Sequence, residues 1–471
     1  MLQIQAINNE EVEAIHQATL RILSEVGIFL THPEARQMLI EANCTLQDSR
    51  VRIPADLVEW AVAQCPSQVT VYSRTGEPLT LGDGNLHWHN LGGARDFYDP
   101  VSGKIRPAYV KDVQDSTRLL DALKNVNSIT PFFTPQDVPG ELMSLAMYRH
   151  TLPFTTKPVQ GPGVSNAAEV RYAVAMAVVL GAPREVLTLG ISPVSPLFFP
   201  DNMVSAVLET AKAGVPLTPL PCPTSGTTAP MSIAGAVTQQ NAEVLATIVL
   251  AQLVNPGLPI VYCGRLAMME PRTGASIWGG VELGLASATT VQIGHRYNLP
   301  VNVYGLSTNA HVLDLQNGYE RALNAIVPAL AGADELSGIG EMQAGISSSF
   351  AQMVLDDEIA ASVKRLRRGF RVNADSLAVE VIAEAMDGPR NFLSQPHTVR
   401  YLRGGEIFIT KLAQRSSWEE WERSGKPGME TQAQKQAESL LAEHEVPPLD
   451  DAQEKELNVI MQAAERELVD A

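Results

Sequence analysis

Glu341 follows Gly338-Ile339-Gly340, a short apolar stretch that reads as a strand end, and it enters an otherwise uncharged region. A carboxylate there could balance a bound cation; the structural alternative is a cap for a helix running from Ser347 to Arg365. His311 and Glu282 are weaker candidates, since each could sit on a helix. Aromatic residues recur near the ends of the other apolar stretches: Tyr262, Tyr304, Trp278, Phe350 and Phe199. Ring faces attract a desolvated cation by up to about 2 kcal/mol each. These five could therefore form a cage, and each could equally be core packing.

The same regions are short of groups that move protons. No charged residue occurs from Ala213 to Ala242, or from Tyr297 to Leu313. A hydrolase or aldolase would need a lysine or a carboxylate pair at such strand ends. Two metal readings stand beside the cage. His87-Trp88-His89 puts two imidazoles on one strand face, as in metal-dependent amidohydrolases, but suitable later ligands are missing, so a hairpin pair is the plainer reading. Cys222 and Cys263 end consecutive strands and could share a zinc ion, with no histidine nearby to complete it.

The elements that must position these groups are legible as repeats. Pro153, Pro183, Pro216, Pro259 and Pro300 each stand between an Ala- or Leu-rich helical stretch and a short apolar strand ending in Gly, Ser or Pro. Helix–strand units of this length with near-continuous apolar strands require a parallel sheet. At least six in succession favour a closed (β/α)8 TIM barrel, with an open doubly wound sheet as runner-up. Its first strand is expected at 128–134 and its last within 397–410. Residues 1–112 read as an N-terminal cover of helices and hairpins, 113–415 as the barrel, and 416–471 as an acidic helical C-terminal extension.

Charge follows these divisions. The 471 residues carry a net −17, only 18% are charged, and 45% are hydrophobic. Residues 158–331 are nearly neutral, while 416–471 hold 14 acidic against 5 basic residues. That balance argues against nucleic acid or an anionic membrane as partner. The uncharged run Val244–Gly264 is broken by Asn255-Pro256-Gly257, so it reads as a buried helix and strand rather than a membrane span. Four scattered cysteines and no secretory pattern suit a reducing cytoplasm.

Phe97-Tyr98-Asp99-Pro100-Val101-Ser102-Gly103-Lys104-Ile105-Arg106-Pro107-Ala108, followed by Lys111-Asp112-Val113, resembles the hairpin-then-helix segment of the trimethylamine methyltransferase family. So do Arg272-Thr273-Gly274 with Glu282, Asp314-Leu315-Gln316-Asn317-Gly318-Tyr319-Glu320, Leu330-Ala331-Gly332-Ala333 and the run 349–358. The resemblance spans roughly residues 10 to 465. It implies a (β/α)8 barrel that transfers a methyl group from an amine to the Co(I) of a cobalamin (corrinoid) carried by a separate corrinoid protein, with no cofactor tightly bound to the chain itself. The trimethylamine enzymes use pyrrolysine; the corresponding stretch here, 306–313, reads LSTNAHVL. The chain thus resembles the non-pyrrolysine branch, which acts on quaternary amines such as glycine betaine. A betaine carboxylate would fall to Arg265, Arg95 or His311. Demethylating a quaternary ammonium releases a neutral tertiary amine and needs no general acid, in keeping with the scarcity of proton-transfer groups. Three alternatives remain: a zinc-dependent methyltransferase, a zinc-dependent hydrolase, and a non-catalytic betaine-binding protein. A homo-oligomer is left open, with the C-terminal helices as suited to a subunit contact as to a partner.

Overall fold

A computed structural model describes residues 2–161, 163–181, 183–388 and 390–469. Its architecture is α/β. Parallel strands form two sheets, Leu217–Pro219 with Leu187–Ile191 and Val159–Gly161, and Tyr262–Gly264 with Val301–Tyr304, Glu335–Ile339 and His87–Asn90. Single parallel bridges join them: His89 with Ser128, Ile129 with Val159, and Leu217 with Ile260. Taken in order, eight parallel segments follow one another and the eighth pairs with the first, although hydrogen-bonded ladders cover only parts of this circuit.

Helices separate the segments, as the proline-marked joints led one to expect. Asp201–Ala213 ends at Gly214 and Leu315–Ala331 at Gly332, both glycines in the left-handed conformation that terminates a helix. The uncharged run is the helix Ile233–Val254 followed by the strand Tyr262–Gly264. That helix is buried nearly all round because Asn9–Arg21 and Ala55–Gln64 pack over its outer face. Among the described residues no helix is long and apolar enough to cross a membrane.

Two strand assignments need correcting. His87–Asn90, read as part of a hairpin cover ahead of the first barrel strand, is itself the first parallel segment, paired with Glu335–Ile339. The last segment is Glu335–Ile339, whereas 397–410 holds the helix Pro396–Arg403. A hairpin of Val69–Tyr72 and Pro78–Leu81 closes the end of the ring where the strands begin, packing Val69 and Leu81 on Val261.

The acidic tail forms Trp418–Arg423, Met429–Glu443 and Asp451–Leu468. It is docked on the ring's helices rather than free in solvent. Leu457 and Ala464 are buried, Arg149 meets Glu454 at 2.6 Å, and Tyr172 donates to Glu467 at 2.6 Å.

Candidate functional site

Strand alternation decides which residues face the interior of the ring. On Val301–Tyr304, Asn302 and Tyr304 point inward; on Glu335–Ile339, Glu335 and Ser337 do. Arg265 lies two residues past Cys263, so both share the inward face. Of these, Arg265, Asn302, Tyr304 and Ser337, with His89, Asn90, Thr130, Gln160, Thr218 and Cys222, surround a cavity of about 270 Å³ toward the C-terminal ends of the strands. Its size suits a small polar ligand.

The interior below is polar and tightly paired. Glu335, fully buried, accepts from Ser128 Oγ at 2.9 Å, Gln160 Nε2 at 2.7 Å and Asn302 Nδ2 at 2.5 Å. Asn302 Nδ2 also lies 2.8 Å from His89 Nε2, and Arg265 Nη2 donates to Asn302 Oδ1 at 2.5 Å. His89 Nδ1 sits 2.7 Å from the Asn90 carbonyl, which fixes that nitrogen as the donor and leaves Nε2 to accept from Asn302. Burial holds the imidazole below its ordinary pKa, so it is neutral.

Arg265 is the cavity's distinctive group. Only 5% of it is exposed, and its guanidinium lies 4.4 Å from the centroid of the Tyr304 ring. Trp278 meets the same ring edge-on at 5.0 Å. Nη1 of Arg265 is buried without a hydrogen-bond partner among the described residues. A buried charged donor left unpaired is costly, and a ligand oxyanion would relieve it.

Glu341 lies behind this wall and does not line the cavity. It is 1% exposed and accepts from Ser307 Oγ at 3.0 Å. Burial pushes its carboxyl up to about 8, against the opposing pull of Arg321. With no bound cation beside it the carboxyl is thus mostly protonated at neutral pH, and it stands outside the cavity wall where a cation-balancing group was expected. Nor does it cap the helix Phe350–Arg368, whose N-cap is Ser349. The loop carrying Ser307 is held by Glu320, which accepts from Thr308 Oγ1 at 2.6 Å and Asn309 N at 2.9 Å. Asn309 Oδ1 in turn accepts from the backbone of Trp278 and Gly279. Gly338, at φ +108°, permits the close approach of this loop: a Cβ there would lie 2.9 Å from the Leu306 backbone.

Of the residues singled out from the sequence, the structure brings together Arg265, Tyr304 and Trp278. The others lie elsewhere. Tyr262 points outward, donating to Asn241 Oδ1 at 2.8 Å within a buried network that includes Tyr297 and Thr19. Phe199 is fully buried on a strand paired with Ile28–Leu30, and Phe350 packs on Phe97 at 4.9 Å. Arg95 is exposed and paired with Asp96 at 2.7 Å. His311 is exposed, and it too is absent from the cavity wall.

His89, Asn302 and Glu335, which build this polar interior, were not singled out from the sequence as inward-facing. The signal for His89 was present in the His-Trp-His spacing but was assigned to a hairpin. Cys222 is exposed and lines the cavity, where the surrounding protein atoms still pull water from its thiol and push it up to about 11; burial pushes Cys263 up to about 12. Among the described residues no three His, Cys, Asp or Glu side chains form a group that could hold a metal ion.

Residues 1–468 match the family described as trimethylamine methyltransferase (MTTB). The chain is 29% identical over 469 residues to a trimethylamine methyltransferase of Desulfitobacterium hafniense, covering 98% of this chain and 94% of that protein. It is 28% identical over 454 residues to a glycine betaine methyltransferase of the same species, covering 94% of each. In fold it is similar to the Methanosarcina barkeri monomethylamine methyltransferase, with a TM-score of 0.51 at 12% identity, covering 98% of this chain and 92% of that one.

Proposed function

The chain belongs to the trimethylamine methyltransferase family and is a methyl-transferring enzyme, and we propose that it takes its methyl group from a betaine and passes it to a corrinoid on a separate protein. The observation that carries the substrate class is that Arg265 lines the cavity and its buried Nη1 has no partner among the described residues. A small quaternary amine bearing a carboxylate supplies the missing acceptor; trimethylamine has none. We further read the ring as a (β/α)8 barrel, whose strand C-terminal ends are where such enzymes bind substrate.

On this reading Arg265 receives the carboxylate in a charge-assisted pair, with Tyr304 and Asn302 fixing the plane and position of its guanidinium. Anchoring at that end directs the trimethylammonium group toward the strand C-terminal ends, where a methyl carbon is accessible to a second protein. Cobalt of the corrinoid, as acceptor, supplies the nucleophilic electron pair. The C–N bond breaks with its electrons going to nitrogen, and the amine leaves neutral, so no side chain has to donate a proton. Positioning is the chain's main contribution.

The test is to mix the purified chain with a Co(I) corrinoid and one candidate at a time: glycine betaine, longer betaines, choline or trimethylamine. Loss of the Co(I) spectrum is expected with betaines. No change with any quaternary amine, or equal activity on choline and glycine betaine, overturns the reading.

A further inference from the structure

Residues 369–388 and 390–409 contribute nothing to the main core among the described residues. Both ends are tied near the end of the ring where the strands begin. Arg367 donates to the carbonyls of Ala333 and Gly84, each shortly before a parallel strand; Arg368 donates to the Gly405 carbonyl, and Arg365 Nη2 to that of Glu406 at 2.5 Å. The cavity lies toward the opposite end.

Between these ties the segment forms three short helices, Ala374–Leu377, Val379–Asp387 and Pro396–Arg403. Arg400 and Tyr401 OH reach back to Asp375 at 2.5 and 3.0 Å, joining the first helix to the third. Apolar side chains point to solvent instead of to each other: Leu393 is 86% exposed, Phe370 76% and Ile409 72%, with Val379, Met386 and Phe392 also exposed. Among the described residues of the three helices only Ala385 is buried. Helices of 4 to 9 residues are not stable on their own in water, and this many exposed apolar side chains on one short segment mark a contact.

We propose that this arm is the contact by which two copies of the chain associate, arm against arm about a twofold axis. Charge favours a second copy. The arm holds four arginines against five acidic residues, close to neutral in a chain of −17, so two arms meet with little of the repulsion that other faces would impose. Area agrees: twelve large apolar side chains, each at least 42% exposed, offer on the order of 1,000 Å² per copy, what a stable interface needs. A corrinoid protein is the poorer occupant. Under the function proposed above it approaches the other end of the ring and leaves between turnovers, whereas a segment without a core needs permanent cover.

The test uses the full chain in analytical ultracentrifugation at micromolar concentration. Wild type is expected as a dimer or an even multiple of one, and the double variant Leu393→Asp with Ile409→Asp is expected to sediment as a smaller species with an unchanged far-ultraviolet spectrum. Because the double variant could misfold, a second measurement uses Leu393→Cys. Mild oxidation should trap it as a covalent dimer, while Val459→Cys on the tail stays monomeric on denaturing gels. A monomeric wild type overturns the proposal, including one whose arm substitutions weaken only corrinoid-protein binding. So does an oligomer that neither substitution alters. None of these readouts depends on the substrate, so the proposal and the betaine reading fail separately.

Discussion

Arg265 and Glu335 face the same interior but never touch: the Asn302 amide lies between them, its oxygen 2.5 Å from the guanidinium and its nitrogen 2.5 Å from the carboxylate. A direct ion pair would spend the arginine's charge on the protein. With an uncharged amide interposed, the two charges are kept apart, and Nη1 of Arg265, a residue that lines the cavity, is left without a partner among the described residues.

Arg265→Met is therefore expected to raise KM for a betaine while leaving any activity on a quaternary ammonium without a carboxylate nearly unchanged. A hydrogen bond to a charged group contributes about 1.5–3 kcal/mol, a factor of roughly 10 to 150. Initial rates on glycine betaine and choline check this. Equal losses on both would show that the arginine only holds the cavity's shape.

Asn302→Leu should unfold more easily than wild type by about 3 kcal/mol, because it leaves both Arg265 and Glu335 short of a partner in a buried site. Ser337→Ala, which removes a buried hydroxyl with no partner among the described residues, should change stability little. Urea denaturation of the two variants without ligand makes the comparison.

Glu341 has a folded-state pKa raised to about 8 by burial, from an ordinary 4.5. The folded protein thus keeps this proton between roughly pH 4.5 and 8 while the unfolded chain has released it, so the group's favourable contribution, complete below pH 4.5, is lost as pH rises through that range. Glu341→Gln should accordingly gain stability relative to wild type as pH goes from 5 to 8.5. Its effect on betaine binding should be small at pH 7 and grow above pH 8. Paired thermal melts and calorimetry across that range decide it; a constant difference would place the carboxyl outside the titrating interior.

Arg321 and Asp356 form an ion pair at 2.9 Å with both side chains fully buried. Arg321→Met should cost about 3–5 kcal/mol by stranding the carboxylate. Burial already pushes Asp356 up to about 6 despite Arg321, so without the arginine it would take up a proton more readily. The cost should be smaller at pH 5.5 than at pH 8 in urea titrations.

The repeating helix–strand grammar was readable because prolines and glycines mark each joint. Strand facing was not. In a strand buried on both sides every position is apolar or small, and a one-residue shift exchanges inside for outside. Tyr262 and Cys263 illustrate the problem: the tyrosine looked like a cage wall, yet the inward positions are Cys263 and Arg265. Glu335 was overlooked because it follows a second acid, Asp334, at the start of the apolar run Leu336–Ile339, and nothing in that pair tells which carboxylate faces inward. The expected scarcity of charge at the strands is incomplete at the same point, because Glu335 and Arg265 are both inside. Arg265, Tyr304 and Trp278 were found because aromatic and basic types at a strand end are uncommon enough to notice.

The pairing of His87–Asn90 with Glu335–Ile339 also constrains the order of assembly. The first and last parallel segments are separated by nearly 250 residues, so during synthesis the opening strand must wait until most of the chain has emerged. Until then His89 has no Asn302, and Ser128 and Gln160 have no Glu335. The polar interior can be completed only when the circuit closes, and contacts this distant in sequence slow folding. A chain interrupted before Glu335 would carry seven of its eight segments with their inward polar groups unmatched, which makes release of a truncated product the hazard peculiar to this fold.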